Sequence, residues 1–297
     1  MIDLTLAHLS DLHFGHITSS LTQFLSKRWI GNLNLFLFRK RAYATGHLLL
    51  LPSLLKTLKV EGICITGDLT STSLDEEFAL ARGLINQFSS PCFVIPGNHD
   101  CYTKESERTQ VFYDFFPSQR GVLDICLRDD KVLCTKIKEG WWWIGLDCAV
   151  ATPPFNAYGV FTADMEGKLE NILRSLPERD GVIIGNHFPL FSSTRPSHEL
   201  KNGERLRTLL KRWPSVKMYL HGHDHKPYLI DRRKEGFPLV LNSGCSAVAD
   251  NGSFYLIEIK DSQLHLDHYF YREGLGWRPE KTHTFFISSS TLSATTE

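Results

Sequence analysis

The stretch CFVIPGNHD, residues 92–100, runs from an apolar segment straight into Gly-Asn-His-Asp. Residues of the first kind suit a buried strand. Those of the second make tight turns and offer oxygen and imidazole donors. The junction therefore predicts a strand whose C-terminal end delivers polar side chains into a loop, as α/β folds do where they gather a ligand.

The same junction recurs along the chain. SDLH carries Asp11 and His13, TGDL carries Asp68, and PGNHD carries Asn98, His99 and Asp100. GNH carries His187, and HGHDH carries His223 and His225. Four of these five motifs follow a strand pattern directly. A lone Asp-x-His after a strand is usually packing or a solvated turn. Five such motifs in series, each at a strand end, are poorly explained by chance. Mixed carboxylate, imidazole and amide donors suit Mn, Fe, Co or Zn rather than structural zinc or calcium. Seven candidate ligands exceed what one ion needs, and a shared carboxylate would let them hold two.

Further strand-like runs lie at Leu4–Ser10, Ile63–Thr66, Val132–Ile137, Trp142–Leu146, Val182–Gly185, Val216–Leu220, Leu239–Leu241, Phe254–Ile259 and Gln263–Phe270. Leu51, Leu54, Leu55 and Leu58 repeat at helical spacing. Glu76–Phe88 and Asp164–Leu176 also read as helices, with Ser73 to Glu76 at capping-box spacing and Thr162 before the second. Strand and helix alternate first, and strands follow one another later. That order predicts an α/β (α+β, four-layer) fold, two packed mixed β-sheets flanked by helices. One domain is expected over 1–285, with an apolar and basic insertion at about 21–46 and a polar, flexible tail at 286–297. Pro153-Pro154 and Ser192–Asn202 are expected to be loops.

The motif set resembles the calcineurin-like metallophosphoesterase family, over Asp11 to about Gly244. The resemblance implies a β-sandwich with helices on its outer faces and a dimetal centre at one edge. It implies that Asp11, His13 and His225 hold one ion, that Asn98, His187 and His223 hold the other, and that Asp68 bridges them. It also implies hydrolysis by in-line attack of a metal-bridging hydroxide, with His99 contacting the phosphate and protonating the leaving group. Asp100 either orients His99 or stabilises the turn. His221 is expected behind the ligands.

The totals limit what such an enzyme would act on. A net charge of zero gives no general field for nucleic acid, and none is expected as a partner. The sequence names no protein partner. The cysteine count of seven is odd, without a CxxC pair, which suits reduced core thiols and a cytoplasmic setting. No apolar run reaches the ~20 residues of a membrane-spanning helix.

One segment departs from the average. From Leu12 to Val60 there is no Asp or Glu. Within it, Lys27-Arg28 and Arg39-Lys40-Arg41 bracket Trp29, Ile30, Leu33, Leu35, Phe36, Leu37 and Phe38. No single helical face can bury all of these. The composition fits an element lying on an anionic membrane surface, where each Lys or Arg contributes ~1 kcal/mol. It equally fits an acyl-chain wall, and a core helix with basic ends is the plainer reading. With DLHFG before it and GDLTSTSLDEEF after it, the segment is similar to the lipid A-pathway branch of the family, the chlamydial-type UDP-2,3-diacylglucosamine pyrophosphatases. That likeness implies an acylated nucleotide-sugar substrate, two divalent ions (Mn2+ foremost), and peripheral attachment to the cytoplasmic face of the inner membrane. A soluble cyclic-nucleotide or other phosphodiesterase is the alternative. A membrane-docked interaction protein with a structural metal site is the second.

Overall fold

A computed structural model describes residues 3–16, 45–191, 195–260 and 262–286. The basic and apolar residues Lys27 to Arg41, with the roles expected of them, lie outside the described residues, as does the tail from 287.

The described strands are β1 (Leu4–Leu9), β2 (Gly62–Ile65), β3 (Cys92–Val94), β4 (Val132–Lys138), β5 (Trp141–Leu146), β6 (Gly159–Val160), β7 (Gly181–Asn186), β8 (Leu200–Lys201), β9 (Val216–His221), β10 (Tyr228–Ile230), β11 (Leu239–Asn242), β12 (Ser253–Lys260), β13 (Gln263–Arg272) and β14 (Gly276–Phe286). The α-helices are α1 (Leu51–Thr57), α2 (Asp75–Ile85), α3 (Lys104–Thr109), α4 (Phe112–Phe115), α5 (Leu127–Asp130), α6 (Ala163–Ser175) and α7 (Gly203–Lys211). One six-stranded sheet has the order β14-β13-β12-β1-β2-β3, the other β10-β11-β9-β7-β5-β4, and β6 pairs with β8. Both large sheets are mixed. Strands β1, β2 and β3 run parallel, as do β5, β7, β9 and β11.

Parallel strands covered on both faces need apolar residues at every position, so they lack the in–out alternation of a half-exposed sheet. In the second sheet Ile183, Met218, Leu220, Leu239 and Leu241 point into the core shared with the first sheet. Their neighbours Val182, Ile184, Tyr219 and Val240 join a second core with Met165, Leu169 and Ile172 of α6 and Leu206, Leu209 and Leu210 of α7. The three tryptophans divide in the same way. Trp141 and Trp143 are buried between the sheets. Trp142 faces the other side, where its indole N–H donates to Asp180 at 2.9 Å. A fully buried ring of this size is worth roughly 3–5 kcal/mol against alanine.

The helix ends refine the sequence reading. Thr162 does cap α6, its hydroxyl accepting from Met165 N at 3.2 Å. At α2 the capping acid is Glu77, one residue after the one expected. Its carboxylate accepts from Leu74 N at 3.2 Å and Thr72 N at 2.8 Å. The Ser73 hydroxyl donates instead to His99 O at 2.8 Å. Several elements were not foreseen, α7 and β14 among them. Helix α7 follows the expected loop directly. Strand β14 reads GWRPEKTHTFF and is exposed along most of its length. A charged edge strand with a proline has the composition of a loop, because an outer edge has to discourage further pairing.

Candidate metal centre

The C-terminal ends of β1, β2, β3, β7 and β9 meet at one edge of the sandwich, and all seven expected ligands stand there. The loops after β1 and β2 continue side by side beyond the sheet. Asp11 N donates to Gly67 O at 3.0 Å, His13 N to Asp68 O at 3.0 Å, and Phe14 N to Leu69 O at 2.9 Å. To aim their side chains together, Asp11, His13, Asp68, His223 and His225 all take left-handed backbone conformations. For residues with a Cβ that strain costs on the order of 1 kcal/mol each, and it clusters at functional sites.

The donors form two groups around one carboxylate. In the first, Asp11 Oδ1 lies 3.0 Å from His225 Nε2 and 3.6 Å from His13 Nε2. The two imidazole nitrogens are 2.9 Å apart. In the second, His187 Nε2 lies 3.2 Å from Asn98 Oδ1 and 3.2 Å from His223 Nδ1. Asp68 Oδ2 stands between the groups, 3.8 Å from His13 Nε2 and 3.4 Å from His187 Nε2. Asp11 Oδ1 is buried and accepts no well-formed hydrogen bond among the described residues. A buried carboxylate oxygen facing imidazole lone pairs is costly unless a cation neutralises it. The donor set therefore fits divalent metal on both sides of Asp68.

Main-chain carbonyls from residues 66–71 fix three of the rings. His187 Nδ1 meets Thr66 O at 2.7 Å, His13 Nδ1 meets Thr70 O at 3.3 Å, and His99 Nδ1 meets Ser71 O at 2.6 Å. As donors to these carbonyls, the Nδ1–H groups leave each Nε2 with its lone pair, the tautomer a metal ligand needs. His223 is the exception and turns Nδ1 toward the group. Sequence reading could not find these carbonyls, because no residue type marks them. Only their position beside Asp68 could have suggested them.

Asp100 does not orient His99. Its carboxylate accepts from Leu69 N at 3.1 Å, Thr70 N at 2.9 Å, the Thr70 hydroxyl at 3.0 Å and Gly97 N at 2.9 Å. It ties two ligand loops together, so its expected catalytic role is replaced by a turn-holding one. Ser71 O does the orienting, and Asp68 Oδ1 accepts from His99 N at 2.8 Å. Tyr102 stacks on the His99 ring with centroids 5.4 Å apart. Behind the ligands, Asn242 Nδ2 donates to Gly222 O at 2.9 Å, and the Cys245 thiol to Asp11 O at 3.2 Å. His221 is fully buried there and meets Gly222 O at 3.0 Å. Two glycines let the loops close. A Cβ on Gly97 would lie 2.2 Å from Asp68 Oδ1, and one on Gly222 would lie 1.9 Å from Ser10 Oγ and 2.2 Å from Asp11 Oδ2.

The electrostatics agree with this assembly. Burial opposes the Asp11 charge, but His225 and His13 outweigh it and hold the carboxyl well below its usual range. Burial likewise opposes Asp68, and His187 and His99 hold it down. Burial works against protonated His187, and the Asp68 charge raises it to about 9 all the same, so a metal at Nε2 would bind in exchange for a proton. Burial and the Asp68 charge push Asp100 up to about 7.

Asp68, Asn98, His99, His223 and His225 open into a cavity of about 610 Å³. Its other walls include Phe191, Ile230, Arg195, His198 and Lys226. Trp141, Trp142 and Trp143 take no part in it.

A two-sheet sandwich with this donor set at one edge defines a metallophosphoesterase. The chain belongs to the calcineurin-like phosphoesterase family, whose profile matches residues 4–227. That family is one of phosphoesterases that work with a dimetal site. Its relatives include the 3',5'-cyclic adenosine monophosphate phosphodiesterase CpdA of Escherichia coli K12, 29% identical over 57% of this chain and 56% of the relative. The glycerophosphodiester phosphodiesterase GpdQ of Enterobacter lignolyticus is 24% identical over 75% of this chain and 71% of the relative. The chain spans little more than half the length of the cyclic-AMP enzymes it matches, 54% and 56%. Among solved structures, a dimetal phosphatase from Danio rerio superposes with a TM-score of 0.67 at 13% identity, over 96% of this chain and 99% of that one. A purple acid phosphatase from yellow lupin reaches 0.61 at 12% identity, over 95% and 53%. These likenesses establish the fold alone.

Proposed function

We propose that the chain hydrolyses the pyrophosphate of UDP-2,3-diacylglucosamine, releasing UMP and 2,3-diacylglucosamine 1-phosphate at the cytoplasmic face of a membrane. The observation that carries this reading is the size and lining of the 610 Å³ cavity above the ligands. A phosphate monoester would leave most of that volume to water. A phosphate bearing an organic group on each side would use it. The basic and apolar composition of residues 24–41 supports a lipid-linked substrate and a peripheral attachment to an anionic bilayer.

Asp11, His13 and His225 would hold one divalent ion and Asn98, His187 and His223 the other, with Asp68 between them. Mn2+ is the proposed metal, and Fe, Co and Zn also suit these donors. When bound, the ions supply charge neutralisation of the phosphate and a lowered pKa for water. The chain supplies the rest. Asp68 and the Ser71 carbonyl fix His99 at the cavity wall. Water adds to one phosphorus, the bridging P–O bond breaks, and the bridging oxygen leaves on the other phosphate. With a second proton on Nε2, the His99 imidazolium would give that oxygen a proton while Nδ1–H stays on Ser71 O, an effect typically worth ~10²–10⁴-fold.

The names of the relatives favour a second reading, in which the substrate is a cyclic nucleotide or a glycerophosphodiester. Turnover of UDP-2,3-diacylglucosamine in detergent micelles, compared with cyclic AMP and bis-p-nitrophenyl phosphate in Mn2+, separates the two. The lipid nucleotide is expected to have the highest kcat/KM. Turnover of cyclic AMP with none of the lipid nucleotide would establish the second reading instead. Sedimentation with anionic liposomes tests the attachment. Wild type should pellet, and a variant neutralised at Lys27, Arg28, Arg39, Lys40 and Arg41 should remain in the supernatant.

A further inference from the structure

The cavity has a metal-binding floor and a cationic side. His225 is followed directly by Lys226, so one end of the ligand loop carries a cation to the cavity wall. The other cation, Arg195, belongs to the stretch that leads into β8. Backbone bonds from Ala157 N to Ser197 O (2.9 Å) and from Gly159 N to Glu199 O (3.3 Å) hold that stretch against the loop before β6. It places Arg195 and His198 on the same cavity, with the His198 ring 5.3 Å from that of His223. Apart from Asp68, Asp224 is the one acid lining the cavity among the described residues. Its carboxylate accepts from the Tyr228 hydroxyl at 2.9 Å.

We infer that Arg195 and Lys226 form a second phosphate subsite, separate from the phosphate held at the metal floor, which selects substrates with two linked phosphates. The inference rests on the pyrophosphate reading proposed above. A disubstituted diphosphate carries two negative charges, and the ions on the floor compensate the one beside them. The second phosphate stands toward the cavity rim, where the exposed Arg195 and Lys226 offer it charge-assisted donors. A guanidinium meets phosphate oxygens with a two-pronged fork, and an ammonium meets them as a point charge. A single-phosphate diester gains nothing from this pair.

Titration calorimetry on the full chain with Mn2+ in constant excess tests the subsite without relying on turnover. The probes are methylenediphosphonate, which carries two linked phosphorus groups and resists hydrolysis, and methylphosphonate, which carries one. Wild type is expected to bind the diphosphonate ~10-fold or more tightly than the monophosphonate, the advantage of charge-assisted bonds to a second anion. Arg195→Ala/Lys226→Ala should lose that ratio, and Arg195→Lys/Lys226→Arg should restore part of it. An unchanged ratio in the alanine variant, with its melting temperature intact, overturns the subsite. So does an equal loss of affinity for both probes. The outcome is independent of the lipid substrate: a ratio that behaves as expected beside no turnover of UDP-2,3-diacylglucosamine keeps the subsite and removes that substrate.

Discussion

The ligand edge and the β13–β14 edge are both rich in polar residues, and they use them in opposite ways. At the ligand edge Asp11, His13, Asp68 and His187 are buried, and left-handed turns and borrowed carbonyls hold them in place. At the other edge Arg272 forks onto Glu280 at 2.6 and 2.7 Å with both side chains about one-third exposed, and a bulge lies at His268/Tyr269. Buried polarity demands a partner for every atom, whereas exposed polarity has water. Substitutions at the first edge should therefore change chemistry steeply, and those at the second should barely register.

The largest effect is expected at the shared carboxylate. Asp68→Ala and His223→Ala should each lower kcat by ~10³-fold or more and reduce bound metal measured by elemental analysis, because each removes a donor that positions metal and phosphate together. Wild-type rates with full metal content in either variant would erase the contrast between the edges.

Acid should act on both edges at an intermediate scale. Burial and the nearby His221 lower His8 to about 3. Burial and Lys281 lower His268, stacked on Tyr255, to about 4. Both are neutral in the fold and take up a proton near 6.5 when unfolded. Their contribution is complete above pH 6.5. It is lost as pH falls through the window toward about 4 for His268 and about 3 for His8, at about 1.4 kcal/mol per pH unit for each. Urea midpoints should fall between pH 6.5 and 5, and His268→Phe should shallow that slope. A slope identical to wild type in that variant would remove His268 from the account.

The smallest effect belongs to Arg272→Ala. The pair with Glu280 is solvent-screened, so loss of it should cost less than ~1 kcal/mol by urea denaturation and leave kcat unchanged. A larger loss would mean that β14 is more integral to the first sheet than its exposure indicates.

The same contrast governs what could be read beforehand. The five ligand-bearing strands announce themselves as apolar runs, and the seven ligands stand out because Asp, Asn and His follow such runs. Strand β14 was hidden because WRPEKTHT carries a water-facing composition, and β6 and β8 because two-residue strands leave no pattern. For Asp100 the sequence left two roles open, because GNHD invites a pairing of neighbours as readily as a turn. In three dimensions its carboxylate reaches across to Leu69 and Thr70, some thirty residues away in sequence. The orienting carbonyls of Thr66, Thr70 and Ser71 are backbone, which every residue has, and no sequence marks them.

Glu77 gives this arrangement an anchor outside the site. Its fully buried carboxylate accepts from Thr72 N at 2.8 Å and Leu74 N at 3.2 Å, on the turn whose neighbours Thr70 and Ser71 steer His13 and His99. The same carboxylate accepts from His16 N at 3.1 Å, the last described residue before the basic and apolar stretch of the sequence. One side chain thus serves as a common moorage for two lengths of backbone far apart in sequence, at His16 and at Thr72–Leu74. A pull on either length is borne at the point that keeps two catalytic-edge imidazoles in aim.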